Sequence, residues 1–62
     1  MQTDIRKMLD DIRQTSEGKY LDDCLSGLSD EGKKWAADQI AFWWSAGIAV
    51  PWGMIKREAA TQ

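Results

Sequence analysis

Apolar residues first recur at Ile5, Met8, Leu9 and Ile12. That spacing, i, i+3, i+4 and i+7, lays one stripe along an amphipathic helix. With Thr3 as N-cap and Asp4 in the first turn, it predicts a helix over about 4–15. Tyr20, Leu21, Cys24, Leu25 and Leu28 repeat the helical spacing, but their centre on a common wheel lies about 130° from the first stripe. One long helix would then present two contact surfaces. A break near Thr15-Ser16-Glu17-Gly18 removes that conflict and is the preferred reading. Ser16 then caps a second helix over about 18–27, ending near Gly27.

Ser29 followed by Asp30 and Glu31 reads as the start of a third helix, over about 30–48. A capping box would place Glu or Gln at position 32, where the chain has Gly32. On this helix Ala36, Ile40, Trp43 and Gly47 align. Trp44 lies to one side, and Trp35, Gln39 and Phe42 lie to the other. The polar strip is narrow: Lys34, Asp38 and Ser45, with Ala37 and Ala41 between them. The apolar arc exceeds half the circumference, whereas packing on one layer takes an arc of about 100° or somewhat more. Pro51 lacks an N–H and would clash with the carbonyl of Gly47 inside a helix. A break with Pro51 at the first helical position of a short helix over about 51–59 is preferred to a kinked continuation.

These elements describe an all-α chain: a small bundle of three helices plus a short C-terminal helical turn, read as one domain over 1–62. A lone core in so short a chain rarely yields more than about 3–5 kcal/mol. Natural chains of this size add a disulfide, a metal or a partner. Cys24 is the only cysteine and there is no histidine, so neither an internal disulfide nor a Cys/His metal site is available. Self-association remains. The chain also carries four tryptophans, one phenylalanine and one tyrosine, each able to bury about 150–250 Å². That load exceeds what one protomer is expected to cover. The expected interface is Trp35, Gln39, Phe42, Trp43, Trp44 and Trp52, completed by homo-oligomerisation, with a dimer favoured as the commonest closed assembly. Gln39 is a candidate for setting register, because a buried amide penalises misalignment.

Charge changes the picture a little. Residues 1–31 carry eight acids against four bases, and residues 32–62 carry four bases against two acids. An acidic front half argues against phosphate-backbone binding there. A helix-turn-helix reading of the second and third helices would have only Lys33 and Lys34 to meet phosphates, beside Asp30 and Glu31. The pairs Asp10-Asp11, Asp22-Asp23 and Asp30-Glu31 point about 100° apart on a helix, which suits a solvated face rather than a chelate. Without histidine, and with Cys24 in an apolar set, no catalytic residue and no cofactor site is expected.

Gln39 to Ile55 is a run of seventeen uncharged residues, at the lower end of the about 17–25 needed to span a bilayer. Lys56 and Arg57 follow it. Against a span, Trp43 and Trp44 would sit near mid-bilayer instead of in the interfacial belt, and the run contains Pro51, two glycines, Ser45 and Gln39. The membrane reading and a weak DNA-binding regulator stand as alternatives. A single cysteine and a charged start without a signal-type apolar region fit a cytoplasmic setting.

The stretch MQTDIRKMLDDIRQTSEGKYLDDCLSGLSDEGKKWAADQIAFWW resembles the small helical accessory proteins of lambda-like temperate phages, those encoded between the exonuclease and excisionase genes. Size, an acidic amphipathic front half and a Trp-rich helix carry the resemblance. It implies an early-expressed modulator in the host cytoplasm that acts by contact with a host or phage protein. It transfers no functional residue.

Overall fold

The computed structural model describes residues 5–62, so Thr3 and Asp4 at the expected first cap lie outside the described residues. Four helices follow in order: α1 Ile5–Arg13, α2 Gly18–Leu25, α3 Asp30–Ser45 and α4 Trp52–Ala59. No strand occurs among the described residues.

The break between the first two helices is real, and its cause is local. Thr15 donates its N–H (2.9 Å) and its hydroxyl (2.6 Å) to the Ile12 carbonyl, closing the end of α1. The Thr15 hydroxyl oxygen then accepts from the Glu17 N–H at 3.2 Å. Glu17, not Ser16, is the N-cap of α2, and it makes no side-chain capping bond. The expected Ser16 cap is not formed; Thr15 closes the turn ahead of α2 instead. Gly18 is buried against the end of α1, and a Cβ there would stand 2.9 Å from the Arg13 carbonyl oxygen. The glycine marks the helix break because two backbones meet at it.

The start of α3 is the one the sequence describes. The Ser29 side chain accepts from the Gly32 N–H at 3.1 Å, and Asp30 and Glu31 occupy the first turn. Its end comes sooner than expected, at Ser45 instead of residue 48. Gly47 takes a left-handed φ of 72°. The Gly47 N–H reaches the Trp44 carbonyl at 3.1 Å and the Ile48 N–H reaches the Trp43 carbonyl at 3.2 Å. This pair of bonds is the Schellman arrangement, which satisfies the last carbonyls and turns the chain away. The break at Pro51 is also present, shifted by one residue. Pro51 is the N-cap of α4 rather than its first helical residue, with φ −80° and ψ 75°. The Trp52 N–H bonds the Val50 carbonyl at 2.9 Å across it, an inverse γ-turn.

The core takes a contribution from every helix: Ile12, Leu21, Cys24, Ala36, Ile40, Ile55 and Ala59, with Val50 from the α3–α4 connection. Helix α3 packs on α1, α2 and α4, and α2 packs on α1 and α4. Full burial of each aliphatic side chain such as Ile12 or Ile40 contributes about 1.5–3 kcal/mol. The radius of gyration is 10.7 Å, matching the value of about 10.6 Å expected of a compact chain of this length. The shape is flat, 28 × 27 × 17 Å. The side chains buried in the interior are aliphatic ones, alanines and the Cys24 thiol. No large aromatic ring is fully buried among the described residues.

Candidate functional site

The rings sit at the edge of the core. Trp35, Trp43, Trp44 and Trp52 are half-buried and pack against it from outside. Phe42 remains 63% exposed and Tyr20 48% exposed. Phe42 meets Trp43 edge to face, with ring centroids 5.9 Å apart and planes at 82°, a favoured geometry for two aromatic quadrupoles. Lys19 Nζ lies 5.2 Å from the Tyr20 ring centroid, within cation–π range.

Trp35, Gln39, Phe42 and Ala46 fall four, three and four residues apart, so they share one face of α3. Gln39 is half-buried. The face is rotated relative to the sequence reading. Ala41, placed there in the polar strip, is buried at 6% exposure, while Phe42 is outside. The cause is α1, which packs along α3 and brings Ile5 into a shallow depression with Asp38, Ala41, Phe42 and Ser45. The small Ala41 lets the two helices approach. Phe42, one position further round, is left in solvent. Of the six residues expected at an interface, Trp35, Gln39, Phe42 and Trp43 lie together on or beside this face. Trp44 and Trp52 belong to a different neighbourhood.

That second neighbourhood lies where the α1–α2 turn meets the α3–α4 connection. A groove of ≈ 300 Å³ is lined there by Glu17, Trp44, Gly47, Ile48 and Ala49. Trp52 Nε1 donates to Glu17 Oε1 at 3.2 Å, tying the start of α4 to the turn before α2. Glu17 and Ile48 were not singled out by the sequence. No local pattern marks a contact between residues 35 positions apart.

The charged faces are ordinary surface. Arg13 bonds Asp10 and Asp22, each at 3.4 Å, and Lys56 bonds Asp23 at 3.2 Å. Adjacent Asp22 and Asp23 thus engage different cations, as their angular separation on a helix requires. These exposed pairs contribute little to stability, of order 0–1 kcal/mol each. Cys24 is buried, and its Sγ lies 3.8 Å from the Trp52 carbonyl oxygen. Burial pushes its thiol pKa up, with Lys56 opposing and Asp23 adding to the shift. Among the described residues no cluster of three or more Cys, Asp or Glu converges as a metal site.

The uncharged run from 39 to 55 is divided. Its first part ends α3, its middle turns at Gly47 and Pro51, and its last part starts α4. No helix among the described residues is long and apolar enough to cross a membrane. The chain matches no family model, no curated protein and no solved structure.

Proposed function

We propose that the chain is a non-enzymatic helical interaction module that acts by contact through its aromatic α3 face, first of all by pairing with a second copy. This is the kind of protein that the resemblance to phage early accessory proteins implies, and a host-cytoplasm setting is part of the same proposal. The observation that carries the reading is Phe42, a large ring left 63% exposed beside half-buried Trp35 and Trp43. At about 25 cal/mol per Å² and about 200 Å² for the ring, covering the exposed part would contribute about 3 kcal/mol per copy. A two-fold dimer uses the same patch twice. Gln39, inside that patch, would discriminate the paired register.

The division of residues 39–55 into two helices leaves the membrane-inserted alternative without a span-length helix. Lys33 and Lys34 are exposed at the start of α3 beside Asp30 and Glu31, a weak electrostatic footprint for DNA.

Sedimentation velocity over a range of concentrations tests the reading. The wild-type chain should associate at micromolar concentration. Phe42→Ser should weaken association at least tenfold; its melting temperature should match wild type at a concentration low enough for both to be monomeric, because the ring is outside the core, and should fall below wild type where wild type associates. Trp43→Ala should weaken association and stability together. A folded monomer over the whole range, with Phe42→Ser indistinguishable from wild type, rejects the proposal.

A further inference from the structure

Glu17 differs from every other acid among the described residues. It alone is not fully on the surface; the remaining aspartates and glutamates are exposed. It also lacks an ion pair there. Arg13 is engaged by Asp10 and Asp22, Lys56 by Asp23, and Lys19 by the Tyr20 ring. Trp52 Nε1 fixes one carboxylate oxygen, Oε1, and no hydrogen bond among the described residues reaches Oε2. The surroundings are apolar: Trp44, Ile48 and Ala49 line the same groove, and Ile48 is 50% exposed. Glu17 thus brings an acidic group without an ion pair among the described residues to a groove with apolar walls.

We infer that this groove is a receptor for the guanidinium side chain of an arginine presented by a partner protein. Its volume of ≈ 300 Å³ is at the floor of the range of about 300–1,000 Å³ for small-molecule sites, which suits one long side chain and not a nucleotide-sized cofactor. Arginine fits better than lysine. Its guanidinium is weakly hydrated, its planar group stacks on indole, and its methylene stem covers apolar surface while the head pairs with a carboxylate. The Trp52 bond holds the Glu17 side chain in place before the cation arrives, so less rotamer freedom is lost on binding. The Schellman turn contributes Gly47 to the lining, at a φ of 72° that favours glycine.

The inference deepens the contact reading by naming the chemistry of a partner, and it rests on that reading in taking the arginine to come from a protein. It uses a different surface from Phe42, so the two fail separately. The test is a titration of the full chain with acetyl-Gly-Arg-Gly-amide, following the tryptophan indole N–H signals by NMR, with the citrulline and lysine peptides in parallel. The arginine peptide should shift the Trp44 and Trp52 signals at millimolar concentration. The lysine peptide should bind more weakly, and the uncharged citrulline peptide at least tenfold more weakly. Glu17→Gln keeps a carbonyl oxygen for Trp52 Nε1 and should lose the arginine response tenfold or more. Ile48→Ser, at an exposed position, should weaken it severalfold and serves as the second variant should Glu17→Gln lose its fold. Equal shifts with arginine and citrulline, or an arginine response that survives Glu17→Gln, overturn the inference. So do shifts of the same two signals that appear on concentrating the protein alone and block the peptide, because a second copy would then be the occupant. Loss of the arginine response with intact Phe42-dependent association removes this site and leaves the dimer proposal standing.

Discussion

At Gly32 the backbone of α3 lies against that of α4. The glycine lies in the first turn of α3, and a Cβ placed on it would be 2.7 Å from the Ala59 carbonyl oxygen, near the end of α4. It would also stand 3.3 Å from Ser29 Oγ and 3.4 Å from Leu28 Cβ. The obstacle is main chain, so no rotamer change relieves it. Two effects oppose each other in Gly32→Ala. Helix propensity favours alanine by at most about 1 kcal/mol, and by less near a helix end. Forcing a methyl into a closed contact costs about 1–3 kcal/mol. The methyl should win, with a net loss of about 1–2 kcal/mol, a large fraction of the about 3–5 kcal/mol that a core of this size supplies. At about 4–8 °C per kcal/mol, Tm should fall by roughly 5–15 °C. Gly53 gives the control: it lies in the first turn of α4, and a Cβ there would meet nothing within 4 Å. Gly53→Ala should raise Tm by a few degrees, about 0.5 kcal/mol. Thermal and urea melts by far-ultraviolet circular dichroism, at one low protein concentration, measure both. A Gly32→Ala protein as stable as wild type would show that α4 does not close on α3 there.

Two further outcomes follow from the same geometry. Ser29→Ala removes the oxygen that accepts from Gly32 N–H at 3.1 Å and should cost about 1 kcal/mol in the urea melt, while Ser29→Asp should keep most of it; an unchanged midpoint for Ser29→Ala would refute the cap. Cys24 is buried with its thiol pKa raised by desolvation, so the folded state holds its proton more tightly than the unfolded chain does. Its contribution is fully present below the ordinary thiol range and is lost as pH rises through and above it. A thiol-specific reagent should therefore modify Cys24 only through opening of the fold, slower by orders of magnitude than in urea, and a Cys24→Ala chain should lose less stability on moving from neutral to strongly alkaline pH. Rapid labelling of the folded protein at neutral pH would contradict its burial.

The sequence resolves the elements well where one local device decides. Four helices are legible from apolar spacing, the start of α3 from Ser29 with its two acids, and the breaks from Gly18 and Pro51. The errors lie where backbone bonding or tertiary packing decides. Ser45 ends α3 because Gly47 turns left-handed and two N–H groups reach back to Trp43 and Trp44; apolar periodicity continues past that point and cannot signal it. The rotation that buries Ala41 and exposes Phe42 is hidden by the helix itself. With apolar residues around most of its circumference, α3 offers α1 several sides, and only packing selects among them. Gly32 reads as a flawed capping box because the Ala59 carbonyl that explains it is 27 residues downstream. The bond from Trp52 to Glu17 is invisible for the same reason. The disposition of the rings is intermediate: their number predicts that they are not all enclosed, while which ones stand free depends on where α1 lies.

The closeness of Gly32 to Ala59 also decides how the molecule can be handled. It brings the end of α4 to the first turn of α3. Phe42 is ten residues further along, about 15 Å at the rise of a helix. The first described residue, Ile5, shares a depression with Phe42 itself. Purification handles, fluorophores or surface tethers joined after Gln62 would leave from the end of α3 away from Phe42, whereas the same groups attached close to Ile5 would start beside that ring and confound a test of the pairing proposed for it.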